Sequence, residues 1–191
     1  MKENTHDLVQ KFIDGDHKAF AELVRRYREK VYAIAFNVLR NHLDADEVVQ
    51  EAFVRVYRRK ETLQGVGYFP SFLMKVATNY AIDLLRKRKG HSTVGEDTSS
   101  LPGEVQLDLA RQIDTPSERY QRKRLMEQIY KALDQLPPRQ RATAVLHDIE
   151  GFSKAEIARI FECPEATVRS NLHIARTKLR KILKQRLRSK E

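Results

Sequence analysis

Five side chains on one stretch, Arg169, Ser170, His173, Arg176 and Lys178, have the chemistry to read a polyanion. Guanidinium, hydroxyl and imidazole groups can bond base edges, while the later cations suit phosphates. A second basic set is the run Arg86, Lys87, Arg88, Lys89. Cations at a helix C-terminus favour its dipole, but four in succession exceed that need and suit phosphate contact. Tyr80, just ahead of them, can stack on an unpaired base; its spacing fits a partly buried core residue equally well. A third group is acidic: Asp44, Asp46, Glu47 and Glu51. These could be imagined as a metal site, yet helix-start positions and a solvent-facing stripe explain them more simply. His42, His147 and His173 are scattered, and no histidine, cysteine or serine constellation suggests catalysis. The chain is therefore expected to be no enzyme and to need neither metal nor cofactor.

The elements that position these groups read as helices. Ser153 and Glu156 form a capping-box pattern that opens a short helix bearing Ile157, Ala158 and Phe161 at helical spacing. Glu162-Cys163 breaks it, and Pro164 suits the first position of the next helix. That helix places Val168, Leu172, Ala175 and Leu179 on one face and the polyanion-reading groups on the other. A short helix, a tight turn and a second helix with a basic face describe a helix-turn-helix whose second helix enters the DNA major groove. An ordinary helical hairpin with a solvated face is the competing interpretation. Cys163, at the turn, is expected to be a cap or small buried residue rather than a redox switch.

Composition agrees with a nucleic-acid partner. The 191 residues carry a formal net charge of +10, a surplus that suits a polyanion. A single cysteine excludes an internal disulfide and a cysteine-built zinc site. No apolar run approaches membrane-spanning length and the N-terminus is unlike a signal peptide, so a cytoplasmic protein is expected. Seven glycines, no tryptophan and many long polar side chains predict an all-α fold.

Along the chain, the periodicity predicts a short helix over Asp7–Ile13, ended by Gly15, then one capped by Asp16 and running to about Leu39. A third helix is expected from the capping-box pair Asp44 and Glu47, burying Val48, Val49, Ala52, Phe53 and Val56. Thr62–Tyr68 reads as a loop. Pro70 opens a fourth helix with core residues Phe72, Leu73, Val76, Ala77, Ala81, Leu84 and Leu85, and with Lys75, Thr78, Asn79 and Tyr80 on or near the outside. Residues 91–115 hold Gly, Ser, Thr, Pro and a reversed, acidic charge, which reads as a flexible linker. Helix resumes at Pro116 and is expected to run to Leu136, burying Leu125, Ile129, Ala132, Leu133 and Leu136; another covers Arg139–Ile149. The expected organisation is two small helical domains, 1–90 and 116–191, the second containing the helix-turn-helix.

These residues resemble the extracytoplasmic function (ECF) group of sigma factors of bacterial RNA polymerase, within the sigma-70 family, over nearly the whole chain. DADEVVQEAFVRVYRR (Asp44–Arg59) is similar to the family's polymerase-binding segment, FPSFLMKVATNYAIDLLRKRK (Phe69–Lys89) to its segment for the promoter −10 element, and Leu136–Arg180 to its −35-binding domain. The resemblance implies that Asp46, Glu47, Gln50 and Glu51 meet the clamp coiled coil of the polymerase largest subunit. It implies that Asn79 and the loop Leu63–Tyr68 capture a flipped base of the non-template strand, with Lys75, Tyr80 and Arg86–Lys89 holding the melted −10 strand. Thr167, Arg169, Ser170, His173, Arg176 and Lys178 would contact the duplex −35 element. The second domain would also meet the second-largest subunit, through the helix around Arg139, and the linker would thread towards the RNA exit path. An anti-sigma factor is an implied partner. Departures are Phe72 where the family usually has Trp, Leu63 where it often has Phe, Ala166 in place of a usual Gly, and Asn171 and Ile174 where arginine is common. A self-sufficient DNA-binding regulator is the alternative; the Asp46–Glu51 face followed by a strand-capturing helix argues against it.

Overall fold

A computed structural model of the chain describes residues 4–65, 69–91 and 116–188. Among them every regular element is helical. α1 (Thr5–Ile13) is capped by Asn4, and Gly15, at φ +103°, makes the left-handed step into α2 (His17–Leu39). Asp16 accepts from the backbone N–H of Lys18 at 2.8 Å and of Ala19 at 3.3 Å, capping α2 as its position predicts. α2 ends at Arg40, a non-glycine residue in the left-handed region at φ 58°.

α3 (His42–Arg58) starts earlier than the Asp44/Glu47 pattern predicts. Asn41 is the cap, its Oδ1 accepting from the Asp44 N–H at 3.0 Å. Asp44 sits inside the first turn instead, where its carboxylate pairs with Arg88 near the end of α4. The stretch expected as a loop forms a 3₁₀ turn over Lys60–Gly65, with Leu63 packed into the core at 2% exposure. Residues 66–68 lie outside the described residues. α4 (Phe69–His91) then runs back across α2 and α3. Leu23, Val31, Ile34, Ala45, Val48, Ala52, Val56, Leu73, Ala77 and Ala81 meet in the centre of these four helices, all essentially solvent-free. Each large aliphatic side chain so buried stabilises the fold by about 1.5–3 kcal/mol. Thr78, placed outside by its spacing, is fully buried beside them.

The second group comprises α5 (Pro116–Leu133), α6 (Pro138–Ala144), α7 (Lys154–Phe161) and α8 (Glu165–Arg188). α5 stops at Leu133, short of Leu136, and Leu125 is 54% exposed rather than buried, because α5 packs through its later residues Ile129, Tyr130, Ala132 and Leu133. The helix expected over Arg139–Ile149 switches at Val145 from α to one π turn, Val145–Ile149. The wider turn is tied down by Glu150 N–H to Val145 O (3.0 Å) and Phe152 N–H to Leu146 O (2.9 Å). It throws Asp148 and Glu150 outward in different directions, towards α8 and α2 respectively.

Leu136, Ala142, Val145, Leu146, Ile157, Ile160, Val168, Leu172 and Ala175 form the apolar centre of this group. The two groups are not separate bodies: α4 packs on α6 and α7, α2 touches the π turn, and one apolar core runs through both. The linker prediction falls on residues 92–115, which lie outside the described residues.

Candidate nucleic-acid interface

The helix-turn-helix forms as its capping box dictates. Ser153 Oγ accepts from the Glu156 N–H at 3.2 Å, and Glu156 Oε2 accepts from the Ser153 N–H at 2.9 Å. These bonds hold the Glu156 carboxyl below its ordinary range, the backbone bond contributing most. Glu162 ends α7 in the left-handed region at φ 48°, and Cys163, half-buried against the core, donates its N–H to Ala158 O at 3.0 Å. Pro164 sits just ahead of α8, where its missing N–H costs nothing.

On α8 the predicted residues share one exposed face: Thr167, Arg169, Ser170, His173, Arg176 and Lys178 are all open to solvent. Three of them are held by neighbours. Arg169 Nη1 lies 3.0 Å from Glu165 Oε1, one turn back. Arg176 makes a two-point pair with Asp148 of the π turn, with Nε 3.2 Å from Oδ2, and that pairing raises the guanidinium pKa further. Lys178 Nζ donates to Gln140 Oε1 at 3.1 Å. Exposed pairs of this kind stabilise the fold by under about 1 kcal/mol, so they orient the cations without withholding them from a phosphate.

A second surface lies between α3 and α4. Phe72, Lys75, Val76 and Asn79 follow helical spacing on α4 and face Glu51, Arg55, Arg58 and Arg59 across a cleft of about 340 Å³. The cleft joins an aromatic ring, an amide and several cations, the groups that stack, bond and neutralise an unpaired nucleotide. Lys75 and Asn79 therefore come together as expected. Leu63 does not join them: it faces the core and is not among the cleft's lining residues. Sequence reasoning missed Arg55, Arg58 and Arg59 as members of this site. Their signal was the stripe Glu51, Arg55, Arg58 on α3, legible only once α4 is known to pack beside it.

Tyr80 takes the second of its two expected forms, a partly buried residue packed against the core, and adds polar partners to it. It is half-buried, its hydroxyl donates to Glu47 Oε1 at 2.5 Å, and the Arg55 guanidinium covers its ring at 4.7 Å. The bond to Glu47, with burial and the nearby carboxylates, pushes its pKa up to about 12. Tyr80 thus links the cleft to the acidic face of α3. The basic run at the end of α4 is also partly engaged: Arg86 pairs with Asp83 at 3.4 Å and Arg88 with Asp44. Lys87 is exposed, and the Lys89 side chain lies outside the described residues.

The acidic face carries Asp46, Glu47 and Gln50, all exposed, with Glu51 paired to Arg55 at 2.6 Å. Three apolar side chains extend it: Leu43 is 81% exposed, Val54 40% and Tyr57 41%. Leu43, Glu47, Gln50, Val54 and Tyr57 recur at alternating steps of four and three, the spacing with which one helix lies along another. Among the described residues no cluster of His, Cys, Asp or Glu could hold a metal ion, and no helix is long and apolar enough to cross a membrane.

Comparison with known proteins places these surfaces in a family. The sequence model for Sigma-70 region 2 matches residues 23–91, and that for Sigma-70 region 4 matches residues 126–179. The chain is 31% identical to the ECF RNA polymerase sigma factor SigW of Bacillus subtilis, over 89% of this chain and 91% of that protein. It is 32% identical to the ECF RNA polymerase sigma-E factor of Haemophilus influenzae, over 88% of this chain and 89% of that one. It is 36% identical to the ECF RNA polymerase sigma factor SigE of Mycolicibacterium smegmatis, over 88% of this chain but only 64% of that longer protein. In fold it is similar to CnrH, solved in complex with the cytosolic domain of CnrY, at a TM-score of 0.65, 22% identity, and coverage of 93% of this chain and 96% of that one. The sigma factor RpoE of Bartonella quintana, solved with the anti-sigma factor NepR, gives 0.63 at 20% identity, covering 87% and 98%. The chain belongs to the ECF group of the sigma-70 family of RNA polymerase sigma factors.

Proposed function

We propose that the protein is an alternative sigma factor that binds core RNA polymerase, directs it to promoters through −10 and −35 elements, and helps melt the DNA; it is a binding subunit and not an enzyme. Residues 1–90 would form the domain for polymerase and the −10 element, 91–115 the linker, and 116–191 the −35 domain. One observation carries the reading: the acidic, heptad-spaced face of α3 borders the cationic cleft between α3 and α4, so one helix serves both a protein and a nucleic acid. Leu43, Asp46, Glu47, Gln50 and Val54 offer a helical partner an apolar stripe with charged edges, as the clamp coiled coil of the largest subunit would need.

The cleft would receive a base extruded from the non-template strand. Phe72 supplies a ring, Asn79 an amide, and Lys75 with Arg55, Arg58 and Arg59 neutralise the strand's phosphates. Extrusion costs a few kcal/mol, and stacking returns about 1–3 kcal/mol per base. On α8, Arg169, Ser170 and His173 would read base edges while Thr167, Arg176 and Lys178 fix the register. The second-largest subunit would meet the second domain near Arg139. Of the solved structures it resembles in fold, one is a complex with an anti-sigma factor and another a complex with a partner's cytosolic domain, which supports an anti-sigma factor as a regulator here, and a cytoplasmic location.

The test is binding of the purified chain to core RNA polymerase, repeated with Gln50→Ala and Glu51→Ala together. Binding weakened by the substitutions supports the reading. Tight, specific DNA binding with no affinity for polymerase would replace it with a self-sufficient regulator.

A further inference from the structure

α8 runs past the part of the chain that matches the family. The match to Sigma-70 region 4 ends at residue 179, but the helix continues to Arg188. It has 24 residues in all, which at 1.5 Å per residue is about 36 Å. Its exposed basic groups keep their spacing across that boundary. Arg169, His173, Arg176, Arg180 and Lys184 follow one another at steps of four, three, four and four, which sets them on one face, and all five are open to solvent. Lys181, also exposed, adjoins the last two. The apolar stripe of Val168, Leu172, Ala175 and Leu179 turns inward. The face proposed to meet the −35 element therefore continues for two more helical turns beyond Arg176.

The charge on this face is unbalanced. Between Ala166 and Lys190 the sequence has no Asp or Glu. Arg176 with Arg180, and Arg180 with Lys184, are like charges one turn apart, each pair destabilising the helix by about 0.2–0.5 kcal/mol. The helix dipole favours cations only within the last turn, and Arg180 lies two turns before Arg188. Asp148 neutralises Arg176, but among the described residues no carboxylate pairs with Arg180, Lys181 or Lys184. A solvated helix face commonly mixes its signs, whereas a face of one sign suits a polyanion that relieves the repulsion.

Geometry selects the polyanion. In a helix-turn-helix the first turns of the second helix reach base edges. With Arg169 and His173 there, Arg180 stands about 16 Å and Lys184 about 22 Å farther along the axis than Arg169. The major groove is about 12 Å wide, so a straight helix laid across it has passed the groove wall by Arg180. The face that met bases then meets sugar and phosphate, which fix position and carry no sequence.

We propose that Arg180 and Lys184, flanked by Lys181, form a phosphate clamp on the duplex beside the −35 element, adding affinity without reading sequence. This rests on the reading above of α8 as the helix that enters DNA. Such an anchor makes the hold on a poorly matched −35 element depend on the flanking duplex. Each phosphate contact steepens the logarithmic salt dependence by about 0.9. Loss of two contacts flattens it by about 1.8, so the ratio of wild-type to variant affinity grows about 12-fold between about 200 mM and about 50 mM salt.

The experiment titrates the full chain, by fluorescence anisotropy across a salt series, with two duplexes of unrelated sequence, each of about 30 base pairs or three helical turns. Wild type is compared with Arg180→Ala/Lys184→Ala and with Lys18→Ala/Lys131→Ala, which removes the same charge from exposed positions on α2 and α5. Helical circular dichroism checks each fold. The clamp predicts a slope flatter by about 1.8 for the first variant, equally on both duplexes, and little change for the second. A slope change no larger than that of the second variant overturns it, as does a loss confined to one duplex, which would make the pair base readers. Weakened binding to core polymerase with the DNA slope unchanged also overturns it and turns the surface towards protein. Failure of the wild-type chain to bind core polymerase would remove the initiation-factor reading. The salt slope, measured without polymerase, would still decide the clamp, so the two failures are distinguishable.

Discussion

Asn79→Ala tests the proposed strand-capturing role of the cleft. Asn79 is half-buried on the face of α4 that carries Phe72, Lys75 and Val76, and it lines the cleft opposite Arg55 and Arg58. Among the described residues its side chain makes no hydrogen bond that holds the fold, and alanine is the best helix former, so the cost to stability is expected to stay within about 0.5 kcal/mol. What is lost is one amide pairing with a base edge, about 1–3 kcal/mol of discrimination. That corresponds to roughly 5- to 150-fold in the open-complex equilibrium. The assay is permanganate reactivity of unpaired thymines in a complex of core polymerase, this factor and promoter DNA, run beside binding to a −35 duplex. Opening should fall within that range while duplex binding holds, because the α8 face lies on another element. Equal loss of both, or undiminished opening, would refute the assignment of Asn79 to base capture.

Further perturbations probe the remaining parts. Arg58→Ala removes one cation from the cleft wall and should reduce the salt slope of single-strand binding by about 0.7; an unchanged slope would place Arg58 outside the strand path. Asp148→Ala releases Arg176 and removes a negative charge beside the α8 face proposed to meet the −35 element, so it should tighten non-specific duplex binding while loosening sequence discrimination, measured by competition titration. Leu146→Ala, at a position with no exposure, should cost about 2–5 kcal/mol in denaturant unfolding. Ser153→Ala removes the α7 cap and should cost about 1 kcal/mol at neutral pH. The Glu156 half of that cap has its folded pKa lowered, so its contribution is complete above the unfolded carboxylate pKa and disappears as pH falls through the folded one. The gap between wild type and Ser153→Ala should shrink correspondingly on acidification, read by thermal unfolding.

Much of the fold was legible because local signals agreed. Asp16, the Ser153/Glu156 box and the Val168–Leu172–Ala175 stripe each dictate their helix with short-range physics alone. The misreadings have identifiable causes. Asp44 and Glu47 mimic a capping box, but Asn41 can cap three residues earlier and Asp44 gains a partner in Arg88, a contact no local pattern announces. The π turn at Val145 leaves the apolar pattern of its helix intact, so periodicity shows no break there. Leu125 looked like core because it fits the stripe, yet α5 meets its neighbours only through its later turns.

The candidate site was half legible. Lys75 and Asn79 could be named from α4 alone, whereas the arginines of α3 acquire meaning only when the two helices are set side by side. Asn37 was passed over within an apolar helix, although a polar residue in such a run is itself a signal for a partner. Its partners, Tyr130 and Glu150, lie far along the sequence and on the other side of the linker.

The central claim is that this chain gives promoter choice to core RNA polymerase. The most direct measurement is transcription in vitro of fragmented genomic DNA from the source organism by core polymerase, with and without the purified chain, and mapping of transcript starts. The account predicts a limited set of new starts that share sequence elements about 10 and 35 bases upstream, and loss of those starts with Asn79→Ala. Starts no different from those of core polymerase alone, under conditions where the folded chain is present in excess, would contradict it.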